Sequence, residues 1–206
     1  MRTADLMRLA RWLSPAFPTG AFAWSHGLEQ AVAEGLGPGA LPGWLDAVLR
    51  FGAGRQDAML LAAARRGEDV AELAAALSPS AERRAETLEQ GAAFAAAARA
   101  TGLPDLADAA LPVVVGGAAR AMDLPAEPVA ALYLQAMLTN LVAAAQRLMP
   151  LGQIGGAALV ERLASLAETV AIEAVTAPWE GFGSAAILVD TAAMRHETLP
   201  ARIFRS

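Results

Sequence analysis

Residues Ala23-Trp24-Ser25-His26-Gly27 spell A-x-S-x-G, one position away from the G-x-S-x-G turn that presents a nucleophilic serine. An esterase built on Ser25 needs that serine on a tight strand-to-helix turn, above a sheet that also carries an oxyanion loop. The residues before it read as one helix and a proline-broken loop, which leaves no room for such a sheet. Neighbouring Ser and His on a helix point about 100° apart, so His26 does not serve Ser25 as its base. A distant base would be His196, with Asp190 as the acid available to orient it. The simpler assignment makes Ser25 the N-cap of a short helix and His26 a surface residue of its first turn.

The stock of reactive side chains is small. Cys is absent, which excludes thiol catalysis, disulfides, zinc ribbons and iron–sulfur ligation. Lys is absent too, so all 16 basic residues are Arg, and P-loop, Schiff-base and pyridoxal chemistry lose their lysine. Two His, His26 and His196, do not make a cluster that would hold a transition metal. A net charge of −5 argues against nucleic acid, which selects basic faces. No catalytic residue, cofactor or metal is therefore expected. Hydrophobic residues make up 55% of the chain, yet no uninterrupted apolar run reaches the ~18 residues of a membrane span. Met1 to Asp5 does not open like a secretory signal, and the cytoplasm is the expected compartment. The apolar excess points to a protein partner.

The elements that would position these residues are helical almost throughout. The periodicity predicts helices over Thr3 to Leu13, Ser25 to Glu34, Trp44 to Arg65, Asp69 to Leu77 and onward from Ser78-Pro79 to about Thr101. Glu127 to Leu148 carries apolar residues on several sides and belongs at the centre of a bundle. Ala157 to Ala177 is amphipathic. Pro178 to Gly183 is a loop, and 185–206 forms a final segment. Val113 to Val115 alone looks strand-like. The expectation is an all-α, single-domain bundle of about eight to ten helices spanning 1–206, with no sheet. Glu82, Arg83, Arg84 and Glu86 read as a solvated face. In the final segment Arg195, Arg202 and Arg205 alternate with Met194, Leu199, Ile203 and Phe204. That pattern suits either a frayed end or a segment that docks through Phe204 and bidentate Arg contacts.

Three stretches resemble signatures of the urease accessory protein UreF family: SPAFPTGAFAWSHGLEQAV at 14–32, RLMPLGQIGG at 147–156 and MRHETLPARIFRS at 194–206. In the first, Pro18, Gly20, Phe22, Ser25, Gly27, Leu28 and Glu29 match; Phe22 and Trp24 are the expected anchors, Glu29 and His26 the expected exposed polar members. Arg147, Pro150, Leu151, Gly152 and Gln153 match the second, a helix–turn–helix junction where Pro150 stops one helix and Gly152 permits the turn. Arg195, His196, Glu197, Arg202, Phe204, Arg205 and Ser206 match the third. Trp24 replaces the family's usual Tyr, Ile154-Gly155-Gly156 replaces a polar T-D-G, and Pro200 interrupts the final segment. The resemblance implies a helical, typically dimeric scaffold rather than an enzyme. Its implied partners are UreD (also called UreH), the GTPase UreG and the urease apoprotein, whose nickel centre they assemble together. A generic helical adaptor remains the alternative.

Overall fold

The computed structural model describes residues 1–103 and 106–206. Among them are ten α-helices: α1 (Thr3–Trp12), α2 (Leu28–Ala33), α3 (Leu41–Phe51), α4 (Ala53–Arg66), α5 (Ala71–Ala76), α6 (Ala81–Ala100), α7 (Leu111–Ala121), α8 (Ala126–Leu148), α9 (Gln153–Thr176) and α10 (Ile187–His196). Single 3-10 turns lie at Ala21–Ala23 and Trp179–Gly181, and there is no strand among the described residues. The all-α class follows from a chain rich in Ala, Leu, Glu and Arg whose Gly and Pro fall at helix ends.

α8 is the central element and packs against α9, α4, α2 and α1. It is long and apolar enough to cross a bilayer, by length and composition only, but 56% of its apolar window is buried inside this fold. Val129, Leu134, Leu138 and Leu141 are each at most 1% exposed, so apolar residues on several sides meet neighbouring helices. α4 lies along α7, and α10 lies along α2. The last pairing carries the chain's end back to its amino-terminal loop.

Several boundaries differ from expectation for local reasons. The helix expected over Trp44 to Arg65 is two helices, broken at Gly52, whose φ of −116° and ψ of −143° leave the helical region. Val113 to Val115 belongs to α7, where packing overrides the strand preference of β-branched residues. Ser80, not Ser78, caps α6 by accepting the Arg83 N–H at 3.1 Å. α9 begins at Gln153, and Gly152 sits at φ −69° with open space around it, so that turn does not need a glycine. Pro150 does follow the end of α8, and α10 stops at His196, short of Pro200.

Candidate partner-binding surface: the junction of loop and tail

α6 supplies the foundation. Glu82, Glu86 and Glu89 recur at spacings of four and three, which places the three carboxylates on one side of the helix. Each meets cationic or donor groups from the two ends of the chain. Glu82 pairs with Arg202 and lies 2.7 Å from His196 Nδ1. Arg205 forks onto Glu89 at 2.6 and 2.8 Å, a bidentate contact. Glu86, 1% exposed, pairs with Arg83 and with His26 Nε2 at 2.8 Å, and accepts the Ser206 hydroxyl at 2.8 Å. The solvated face expected of this stretch is thus half wrong: Arg83 and Glu86 are buried because the tail and the amino-terminal loop lie across them.

Glu29, at the start of α2, does for the tail what a cap does for a helix. Its carboxylate accepts the main-chain N–H groups of Ile203 at 2.7 Å and Phe204 at 2.8 Å, and faces His196 Nε2 at 3.2 Å. His196 is 0% exposed and presents both ring nitrogens to carboxylates. Two more main-chain bonds close the contact: Arg205 N–H donates to the Ala23 carbonyl and Ser25 N–H to the Ser206 carbonyl, each at 2.9 Å. Glu197 adds a clamp by accepting the Ala81 N–H at 2.7 Å, where a carboxylate complements the positive end of α6.

The aromatic residues are layered with Arg. The Arg205 guanidinium lies 4.3 Å from the Trp24 ring centroid, and that of Arg147 lies 4.3 Å from the Phe204 ring. Arg147 also donates to the Phe22 carbonyl at 3.0 Å, tying loop and tail through one side chain. Trp24 and Phe204 are 3% and 2% exposed, whereas Phe22 is 73% and Ile203 59% exposed. Gly27 is needed where α2 crosses α10: its φ is +75°, and a Cβ there would come within 2.6 Å of the Ala193 main-chain nitrogen.

The expected roles change accordingly. Ser25 is not the N-cap, since Gly27 holds that position, though its buried hydroxyl accepts the Glu29 N–H at 3.3 Å while donating to the Ser206 carbonyl. The neighbouring imidazole is turned to Glu86, so Ser25 and His26 form no nucleophile–base pair. His26 and Glu29, expected exposed, are 7% and 6% exposed, and His26 takes a φ of +55° to turn inward. Pro18, Phe22, Arg195, Glu197, Arg202 and Arg205 remain on the surface, as do Arg147 and Pro150. Burial would raise the Glu86 carboxyl, but Arg83 and the His26 contact overcome it and hold it at about 2. Burial and then the Arg83 charge push the His26 imidazole below its ordinary range, so Arg83 supplies the countercharge.

Glu82, Arg83, Glu86 and Glu89 were missed as site residues. Their signal was present as an acidic helix face complementary to an Arg-rich tail, yet nothing local says that the two meet.

Comparison with known proteins agrees with this architecture. A family model described as UreF matches residues 37–164, a span that contains α3 to α8 and omits the loop and the tail. The chain is 53% identical to the urease accessory protein UreF of Cereibacter sphaeroides strain KD131, covering 99% of this chain and 100% of that protein. It is 52% identical to the UreF of Paracoccus denitrificans, over 98% and 97% of the two chains. Against the UreF of a Jannaschia species it is 46% identical, over 100% and 96%. With relatives at this identity running through both ends, and a family model spanning over half its length, the chain belongs to the urease accessory protein UreF family.

Proposed function

We propose that this chain is a non-catalytic scaffold of the cytoplasm that joins UreD (UreH) to the GTPase UreG on the urease apoprotein, so that GTP hydrolysis is coupled to assembly of the nickel centre. Nickel is the cargo of that assembly. The observation that supports this reading is the construction of the junction: buried ion pairs and main-chain bonds fix a surface on which Phe22 and Ile203 stand exposed beside Arg202 and Arg205. Exposed apolar residues flanked by Arg are the composition of interaction hot spots. Of the expected partner-binding residues, Phe22, Arg202 and Arg205 touch the partner, while Trp24, Ser25, His26, Glu29, His196, Phe204 and Ser206 hold the surface in shape from beneath. Self-association as a homodimer is served by other exposed apolar side chains, such as Ile154 and Leu188.

The test is co-purification with UreD and activation of urease by Phe22→Asp and Ile203→Asp, both at positions exposed in the isolated chain. Each substitution is expected to weaken the complex about 10- to 100-fold, the loss of about 1–3 kcal/mol typical of an interface anchor, while the circular dichroism stays helical. Undiminished complex and activation in the double variant would falsify the assignment of this surface.

A further inference from the structure

Beside the junction, and sharing Phe22, His26, Arg83 and Glu86 with it, lies a cavity of about 120 Å³ whose wall also holds Asp57 and Tyr133, which have no part in the junction. It is lined from α1 by Trp12, from α4 by Asp57, from α6 by Arg83 and Glu86, from α8 by Tyr133, and from the amino-terminal loop by His26. Pro15 and Phe22, both exposed, are also in its wall, so the cavity reaches the surface at that loop. The volume accommodates several waters or one small organic group.

The charges do not balance. Two carboxylates, Asp57 and Glu86, face one permanent cation, Arg83, which pairs with Glu86. Tyr133, 5% exposed, donates its phenol to Asp57 at 2.7 Å, and that neutral donor is the hydrogen bond the Asp57 carboxylate receives among the described residues. A carboxylate has about four lone-pair positions, so most of its accepting capacity is open. Burial with too little compensation pushes the Asp57 carboxyl up to about 6, so at pH 7.5 it is ionised. His26 adds a second unmet acceptor. Its Nε2 faces the ionised Glu86 and carries the proton, which leaves the buried Nδ1 with a bare lone pair and no partner. Trp12, Phe94 and Tyr133 contribute aromatic rings, whose faces attract cations.

We propose that this cavity binds a compact organic cation, an alkylammonium or guanidinium group, with the Asp57 carboxylate as its counter-ion and His26 Nδ1 as a second acceptor. The cation supplies the single positive charge that the wall lacks and a donor for the open lone pairs of Asp57 and His26 Nδ1; the buried Trp12 Nε1–H, also in the wall and without a partner, adds no charge. It arrives either as a free small molecule or as an Arg or Lys side chain entering at Pro15 and Phe22. The inference stands on the cavity alone and does not depend on the choice of partners above.

The experiment is a titration of the full chain with methylammonium chloride at pH 7.5, followed by amide shifts in an 1H–15N spectrum, with methanol as the neutral isostere. Saturable shifts around Asp57, Gln90 and Val115 are expected with methylammonium and none with methanol. Asp57→Asn is expected to weaken binding about tenfold or more, the scale of one lost charge-assisted hydrogen bond. Tyr133→Phe keeps the carboxylate and is expected to retain binding. Affinity falls as pH drops below about 6 because Asp57 protonates; Arg83, Glu86, Tyr133 and His26 are the other titratable groups in the wall, and α1 and α7 contribute none. Competition by the peptide Ac-Gly-Gly-Arg-Gly-Gly-amide assigns the site to a protein side chain, and its absence, with methylammonium still bound, assigns it to a free cation. Equal shifts with methanol, or full affinity in a folded Asp57→Asn protein, overturn the proposal.

Discussion

Glu86, buried, and Asp57, half-buried, are carboxylates of one cavity wall that share the field of Arg83, yet they end in opposite electrostatic states. Glu86 receives Arg83, the His26 ring, the Ser206 hydroxyl and the Gln90 amide, the last at 3.1 Å, and is held at about 2. Asp57 receives the Tyr133 phenol and is pushed up to about 6. Burial raises both, so the number and charge of the donors decide the sign. The junction around Glu86 is finished from within the chain. The cavity around Asp57 is left for something else to finish.

The most severe way to break this contrast is Glu86→Ala. It strands Arg83 without its partner inside the protein, and urea unfolding at pH 7 is expected to show a loss of about 3–5 kcal/mol. Because the folded Glu86 lies below its ordinary 4.5, its contribution is complete above that pH and disappears as pH falls towards 2. The difference between native and variant stabilities therefore shrinks across that window. A loss under about 1 kcal/mol at pH 7 would mean the junction is not held by this pair.

Asp57→Asn sharpens the contrast from the other side. The folded carboxyl is raised from 3.8 to about 6, so its ionisation costs stability progressively between those values and fully above them. The amide is expected to gain up to about 3 kcal/mol above pH 7, with the gain fading as pH falls from about 6 to about 4 and absent below that, read from denaturant midpoints at each pH. A destabilised variant at pH 8 would show that the Asp57 charge is already compensated. The smallest effect is expected at Arg195→Ala. Its contact with Glu34 at 3.1 Å joins side chains that are 61% and 43% exposed, and solvent screening leaves such a pair with no measurable effect on the urea midpoint. A measurable cost would extend the tightly held junction outward along α10.

Sequence patterning located the segments of this site better than it located their surfaces. The loop at 14–27 and the tail at 194–206 were both visible through their breakers and their apolar–Arg alternation, and Pro200 correctly signalled that α10 would not run through them. Glu29, His26 and Glu86 were misplaced on the surface for one reason. A polar residue at a helix position with no apolar periodicity reads as solvated unless another part of the chain covers it. The cover here comes from residues 203–206, more than 110 positions away from Glu86 by the contact of Ser206 with it, a separation of 120. Asp57 and Tyr133 carry no short-range signal at all, since one Asp and one Tyr on different helices become a pair only when α4 and α8 pack.

Local chemistry determined the all-α class, most of the long helices, that α8 is central, and which reactions a chain without Lys or Cys forgoes, because these depend on periodicity and side-chain inventory; packing decided that Val113 to Val115 are helical. Tertiary structure decided which charges are buried, which of them are paired, and that the tail folds back onto α6 and α2. Those outcomes depend on contacts between distant segments, and the desolvation of a carboxylate is a property of everything that surrounds it, not of its neighbours along the chain.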